Sequence, residues 1–424
     1  MIKIYKYEDM NSSDIFLRVA DSVDVSDTVA QIISNVRKNG DSALIEYGKK
    51  FDRADITSLE VSADEIETAF NSADPKLIEV IKEAAVNIEK FHRNQLRSGF
   101  IQNDTDGIVT GQKIMPLEKV GLYVPGGTAA YPSSVLMNAI PAKIAGVKNI
   151  YMTTPATGGN VNPVILVAAK IAGVDKIFKT GGAQAVAALA YGTESIPKVD
   201  KIVGPGNAYV AEAKRQVFGT VAIDMIAGPS EILVVADDTC NPKYVAADML
   251  SQAEHDKMAS AVLVTDSMEL ANKVREQLEI QIPQLPRCEI ARASIDNYGK
   301  IIIVDNIKQA IDISNEIAPE HLELCTDNSF ELLGMVKHAG SVFMGKNCPE
   351  ALGDYFSGAN HTLPTSGTAR FASPLSVDDF VKKMQYTYYS KEALGKVADK
   401  IAYFAHNEGL DAHAKSATIR FCED

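Results

Sequence analysis

At 424 residues, with 46% apolar and 23% charged residues, the chain has the composition of a soluble globular protein and the length for two or more domains. A formal net charge of -13, with no dense Lys/Arg run, excludes a duplex-DNA or anionic-membrane binder, because such partners are met by a clustered basic face. The five cysteines, Cys240, Cys288, Cys325, Cys348 and Cys422, lack C-x-x-C spacing, which excludes a disulfide framework and a thiolate metal site. Any metal must then be held by His, carboxylate or amide groups.

The N-terminal "MIKIYKYEDMNSSD" has neither the apolar core nor the small-residue cleavage site of a signal peptide. No stretch reaches the roughly eighteen apolar residues of a membrane span, so a cytoplasmic protein is expected. Ser26 and Asp27 cap a predicted helix whose Val29, Ile32, Ile33 and Val36 recur at helical spacing. A second predicted helix runs from Asp74 to about Gln95, with Leu77, Val80, Ile81, Ala84, Ile88 and Phe91 on one stripe. Around "GIVTGQKIMPLEKVGLYVPGG" the pattern changes to short β-rich runs broken by Gly and Pro.

A repeat follows. "AKIAGVKNIYMTTP" at 142 to 155 returns as "AKIAGVDKIFKTGG" at 169 to 182, each a helix end with Gly at its C-cap and then a strand. A third strand, "VDKIVGPG" at 199 to 206, keeps the spacing of right-handed βαβ units. Alternation resumes with "SEILVVAD", "PKYVAADMLSQAEHD", "ASAVLVTD", "MELANKVREQLEIQI", "GKIIIVD" and "IKQAIDISNEIAPEH". The expected fold class is α/β: two parallel-sheet domains, a helical N-terminal segment and a helical C-terminal appendage. The expected boundaries are 119–235 for one domain, 1–118 plus 236–375 for a discontinuous second, and 376–424 for the appendage. In this reading the N-terminal helices pack on the second layer.

Open parallel sheets bind ligands at the C-terminal ends of their strands. That rule selects the loops holding "YVPGG" (123 to 127), "TGGAQA" (180 to 185) and "VGPGNAY" (203 to 209), each placing glycines before a helix, as suits close approach to a phosphate. None is a full dinucleotide fingerprint, and glycines that merely end strands and cap helices read the same way.

The histidines carry more. In "LSQAEHD", Gln252 and His255 share a helix face while Glu254 points elsewhere, which makes either a surface hydrogen-bond pair or half of a metal site. In "IAPEHLEL", Pro319 breaks the preceding helix and leaves Glu320 and His321 side by side at a turn. Adjacent side chains diverge, so this pair is either a helix-terminal cap or two proton-transfer groups serving one substrate. The long loop "LGDYFSGANHTLPTSGTAR" at 352 to 370 carries Asp354 and His361, as a functional loop or a solvated connector. "NEGLDAH" at 407 to 413 adds Glu408 and His413, which reach a site only if the appendage folds back onto its own subunit or a partner's. His92, His338 and His406 read as structural.

Taken in order, "YVPGG", "TGGAQAVAALAYGT", "VDKIVGPGNAYVAEAKR", "DMIAGPSEILVVAD", "LSQAEHD", "APEHLEL", "LGDYFSGANHTLPTSGTAR" and "EGLDAH" resemble the histidinol dehydrogenase family over essentially the whole chain. The resemblance implies two Rossmann-like domains without the usual glycine fingerprint, in a homodimer with shared active sites. It also implies NAD-dependent, zinc-dependent oxidation of L-histidinol through histidinaldehyde to L-histidine. Carried over by residue, Zn2+, one per subunit, takes Gln252, His255, Asp354 and His413, the last from the other subunit. Glu320 and His321 become the proton-transfer pair. Substrate contacts are Ser230, Gln252, His255, His321, Asp354, His361, Glu408 and His413, and NAD contacts are Tyr123, Gln184 and Asn207. The metal constellation alone would also suit a zinc-dependent hydrolase or a dehydrogenase of another amino alcohol, and an α/β protein that binds a small ligand without turnover is the non-enzymatic alternative.

Overall fold

The computed structural model describes residues 1–10, 15, 24–126 and 130–422, so Gly127 of the first glycine loop lies outside the described residues. Strand β1 (Lys3–Lys6) precedes helices α1 (Ser26–Phe51), α2 (Ala63–Ser72) and α3 (Pro75–His92), then β2 (Phe100–Thr105) and β3 (Ile108–Pro116). Alternation begins with β4 (Lys119–Tyr123), α4 (Pro132–Ala145), β5 (Asn149–Thr154), α5 (Pro163–Ala172), β6 (Lys176–Lys179) and α6 (Gly182–Tyr191). It continues through β7 (Lys201–Val203), α7 (Ala208–Val217) and β8 (Ala222–Ile223). The next elements are β9 (Glu231–Ala236), α8 (Pro242–Ala253), β10 (Ser260–Thr265), α9 (Met268–Gln281), α10 (Cys288–Tyr298) and β11 (Lys300–Ile303). They lead to α11 (Ile307–Ile317), β12 (His321–Cys325), α12 (Ser329–Leu333), β13 (Ser341–Met344) and α13 (Glu350–Tyr355). The chain finishes with β14 (Val381–Tyr389), α14 (Lys391–Gly395), α15 (Ala398–Asn407) and α16 (Asp411–Thr418).

The larger of two compact units, 1–95 with 117–380, is α/β and holds two parallel sheets. One is five-stranded, in the order β6-β5-β4-β7-β8, and the other six-stranded, in the order β1-β11-β10-β9-β12-β13. The repeat is legible in the backbone: Gly146 (φ 92) and Gly173 (φ 73) end α4 and α5 in the left-handed region, and β5 and β6 follow as adjacent parallel strands. Both sheets are buried on their two faces, so β9 is apolar throughout after Glu231 and every one of its residues is buried.

The N-terminal helices correct the expected layering. Val29, Ile32, Ile33, Val36 and Leu44 of α1 share a core with Phe178, Ile202 and the alanine-rich α6, and Ile81, Ala84 and Ile88 of α3 share one with Val120, Leu122 and Ile150. Both helices therefore pack on the five-stranded sheet, and among the described residues of this segment β1 is the strand that joins the other sheet, beside β11. Their apolar stripes fit either sheet, and periodicity does not choose between partners. Ser26 is the first helical residue of α1 and not its cap, whereas Asp74 does cap α3, accepting the Lys76 N–H at 2.9 Å.

The second unit, 96–116 with 381–424, also departs from expectation. "VKKMQYTYY" is a strand, β14, paired antiparallel along β3, which pairs in turn with β2. The appendage is therefore half sheet and half helix, since alternating Tyr and Thr favour a pleated surface over a helical one.

Leu122 lies fully buried in β4, between β5 and β7. Leu122→Ala is expected to lower stability by about 2–5 kcal/mol, measured as a fall in the urea midpoint, because a central strand has no room to collapse around the cavity.

Candidate active site

Helix α11 stops at Ile317, where Ala318 turns left-handed (φ 51). Glu320 and His321 follow Pro319, and His321 is already the first residue of β12, so the pair sits at a strand entrance and not in a free turn. The neighbouring strand is β9, whose first residue is Glu231. The Glu231 N–H donates to Glu320 Oε2 at 2.9 Å, and the Glu231 carbonyl lies 2.9 Å from His321 Nδ1. That carbonyl requires the proton on Nδ1 and leaves Nε2 as the working nitrogen. One residue's backbone thus orients both side chains, and both are buried.

Burial pushes the Glu320 carboxyl up to about 8, with His321 opposing. Burial also works against a charged His321, yet Glu320, Glu350 and Asp354 outweigh it and hold the imidazole above its ordinary value. The result is a ring that binds a proton readily beside an acid that gives one up reluctantly.

His321 Nε2 faces Glu350 Oε1 at 3.5 Å. Glu350 and Asp354 lie one helical turn apart on α13, and His321, Glu350 and Asp354 offer donor atoms within 4.8 Å of one another. Glu350 is itself placed by Glu323 of β12, whose Oε1 accepts the Glu350 N–H at 2.8 Å, and by Ser251, whose hydroxyl donates to Oε2 at 3.2 Å. Burial would raise the Asp354 carboxyl, but a hydrogen bond from His361 and the nearby His321 and His255 hold it below its usual value. His255 is pulled down by burial, partly offset by Asp354.

Gln252 lies in the last turn of α8, almost fully buried, and the His255 N–H donates to its carbonyl at 3.1 Å. Its amide stands close enough to Glu350 to stabilise that carboxylate, yet Gln252 Nε2 and Glu350 Oε1 have no partner at hydrogen-bond geometry. Geometry decides here, because a hydrogen bond is directional and proximity alone is not one. Buried polar atoms left so cost about 1–3 kcal/mol each, and a bound cation relieves the Glu350 carboxylate oxygen, whereas the Gln252 N–H needs an acceptor. Imidazole, carboxylate and amide oxygen in one buried cluster fit zinc. Glu350 escaped sequence reasoning, although its four-residue spacing from Asp354 was a readable signal.

The 352 to 370 segment is built into the unit and is no solvated connector. Asn360 donates to the Met137 carbonyl at 2.7 Å and stands 3.3 Å from His92 Nε2, while His92 Nδ1 lies 2.9 Å from the Ile88 carbonyl. His92 is therefore a buried structural residue that supports this loop. His361 Nδ1 lies 3.2 Å from Asp354 and its Nε2 3.2 Å from the Ser134 hydroxyl of α4. Further along, Thr365 accepts the Gly228 N–H at 2.7 Å and Ser366 N–H reaches Glu231 Oε1 at 3.2 Å, beside half-buried Ser230. Glu408, at the C-cap of α15, and His413, in the first turn of α16, are exposed within the second unit.

The three glycine loops all follow strands of the five-stranded sheet, whose order reverses between β4 and β7. At such a switch point a crevice opens for a ligand. Tyr123 ends β4 buried, its hydroxyl accepting the Gly182 N–H at 3.1 Å, and burial raises that phenol to about 12. Gln184 is buried in α6, and exposed Asn207 caps α7, accepting the Tyr209 and Val210 N–H groups at 3.1 and 3.2 Å. A side chain at Gly181 would meet the Pro155 ring at 2.4 Å, so this loop packs on Pro155 only with glycine there.

Comparison with known proteins agrees with this architecture. The family model for histidinol dehydrogenase matches residues 17–421. The histidinol dehydrogenase of Clostridium acetobutylicum is 57% identical over 402 residues, covering 95% of this chain and 93% of that one. The one from Listeria innocua is 54% identical over 412 residues, covering 96% of each. A crystal structure of histidinol dehydrogenase from Elizabethkingia anophelis superposes with a TM-score of 0.93 at 42% identity, over 99% of this chain and 98% of that one.

Proposed function

The chain belongs to the histidinol dehydrogenase family, oxidoreductases of histidine biosynthesis, and on that premise we propose that it oxidises L-histidinol through L-histidinaldehyde to L-histidine. The proposal includes two equivalents of NAD, one Zn2+ per subunit, and a homodimer in which a second copy of the chain supplies Glu408 and His413. The observation that carries it is the Glu320–His321 pair, anchored to the Glu231 backbone, with His321 grouped with the carboxylates of Glu350 and Asp354.

Gln252, His255 and Asp354 would hold the metal with the second copy's His413; of these only Asp354 belongs to the close-packed His321–Glu350–Asp354 group, with His255 near Asp354 and the Gln252 amide near Glu350. Bound there, zinc would supply a Lewis acid toward the substrate's nitrogen donors. Tyr123, Gln184 and Asn207 would hold NAD, which would supply the hydride acceptor for both oxidations. Ser230 and His361 line the approach to the substrate. His321 takes the substrate hydroxyl proton on Nε2, since Nδ1 is committed to the Glu231 carbonyl. In the second oxidation Glu320 draws a proton from the water that adds to the aldehyde, and His321 again takes the hydroxyl proton. A carboxyl with its affinity raised to about 8 is a strong enough base for that water.

The wild-type protein is therefore expected to form two NADH for each histidinol consumed. Glu320→Gln should slow oxidation of supplied histidinaldehyde about 10²–10⁴-fold and oxidation of histidinol to the aldehyde far less. Half-reaction kinetics with each substrate check this, and equal losses in the two would remove Glu320 from the water step.

A further inference from the structure

We propose that Lys214 and Asp224 are positioning residues for the dinucleotide, a buried ion pair that holds the Gly204 peptide in one orientation beside the switch-point crevice. The inference rests on reading that crevice as the NAD site. Lys214 lies in the last turn of α7 and is 2% exposed, and its side chain runs back along the helix so that Nζ donates to the Gly204 carbonyl at 3.0 Å. Asp224 directly follows β8 and is 1% exposed. Its carboxylate pairs with Lys214 Nζ and accepts the Gly204 N–H at 2.7 Å and the Met225 N–H at 2.6 Å. The N–H and the carbonyl of Gly204 are thus both taken by the two halves of one ion pair.

Gly204 needs such a hold. It sits between the end of β7 at Val203 and the start of α7 at Ala208, outside the regular hydrogen bonds of either. Its φ of +116 is reserved for glycine, and a side chain there would meet the Tyr123 carbonyl at 2.1 Å. The loop that leads to Asn207 therefore presses backbone to backbone on the residue ending β4, and its reach into the crevice depends on how the Gly204 peptide is turned. Stability alone does not explain the device. Two charges taken from water are commonly replaced by packed apolar side chains without loss, so a retained buried pair points to a geometric task.

That property also provides the test. In the full-length metal-loaded enzyme, the double variant Lys214→Met/Asp224→Leu removes both charges together and leaves none stranded. Expected are a rise of about tenfold in the KM for NAD and in the Kd for NADH, read by NADH fluorescence. The kcat at saturating NAD and the KM for histidinol should stay within about twofold of wild type. Lys214→Arg, which keeps the charge and changes its shape, should shift the NAD constants in the same direction by a smaller factor. A folded double variant, or a folded Lys214→Arg, with wild-type NAD and NADH constants overturns the inference, as does an equal rise in the KM for histidinol. Wild-type enzyme that binds no NADH removes the dinucleotide reading itself, an outcome distinct from wild-type binding with an indifferent variant.

Discussion

Replacing His321 by Asn is expected to lower kcat about 10²–10⁴-fold in both half-reactions, with a much smaller change in the KM for histidinol. Asn keeps a polar group near the Glu231 carbonyl and removes the Nε2 base, so the fold and the Glu320 contact survive while proton transfer does not. The imidazole is prepared for this task. The Glu231 carbonyl fixes its tautomer at 2.9 Å, and the surrounding carboxylates make Nε2 a better proton acceptor than a free ring. Rapid-quench measurement with histidinol and with histidinaldehyde checks both steps, and loss of only one step would confine His321 to that step. The contrast with Glu320→Gln, selective for the aldehyde, makes the two substitutions diagnostic together.

Removal of the proposed Zn2+ is the second large effect expected. Chelation is expected to abolish histidinol oxidation, and stoichiometric Zn2+ to restore it. Asp354→Asn should leave less than one zinc per subunit by elemental analysis after dialysis, because it removes the one anionic member of the proposed ligand set, otherwise a neutral amide and imidazoles. A chelated, metal-free sample with full activity would refute the role of zinc. Metal content separates this from structural damage: an unfolded Asp354→Asn loses its far-ultraviolet circular dichroism as well, whereas a site defect leaves it intact.

Much of this architecture was readable from residue order. The "AKIAG" repeat, with its glycine stops, marked a parallel sheet, and both glycines take the left-handed conformation that ends their helices. The helices α1 and α3 were found by periodicity, but their partner was not, because an apolar stripe states that a face is buried and says nothing of what covers it. The strand β14 was hidden for a related reason: a lone amphipathic segment between helical patterns reads as helix until its pairing strand, far away in sequence, is known.

At the site, residues with a chemical signature were legible and residues acting through their backbone were not. His321, Asp354 and Gln252 announce themselves by type. Glu231 matters through its N–H and carbonyl, which every residue but proline possesses, so its side chain carries no signal. The rule that ligands gather at the C-terminal ends of strands selected the crevice of the five-stranded sheet. It missed the proposed proton-transfer pair, because His321 and Glu231 open their strands and lie at the opposite end of the six-stranded sheet.

The anchoring of Glu320 and His321 to main-chain atoms also shapes how this site tolerates change. Substitution at position 231 leaves the N–H and carbonyl in place for any residue but proline, so point mutation rarely reaches the anchor. Insertions and deletions do. A single-residue slip of β9 against β12 exchanges the two faces of the strand and presents a different peptide to the pair. The main-chain anchor is thus indifferent to the side chain at 231, whose own carboxylate is engaged elsewhere with the Ser366 N–H, and depends on the length of the segments on either side of it.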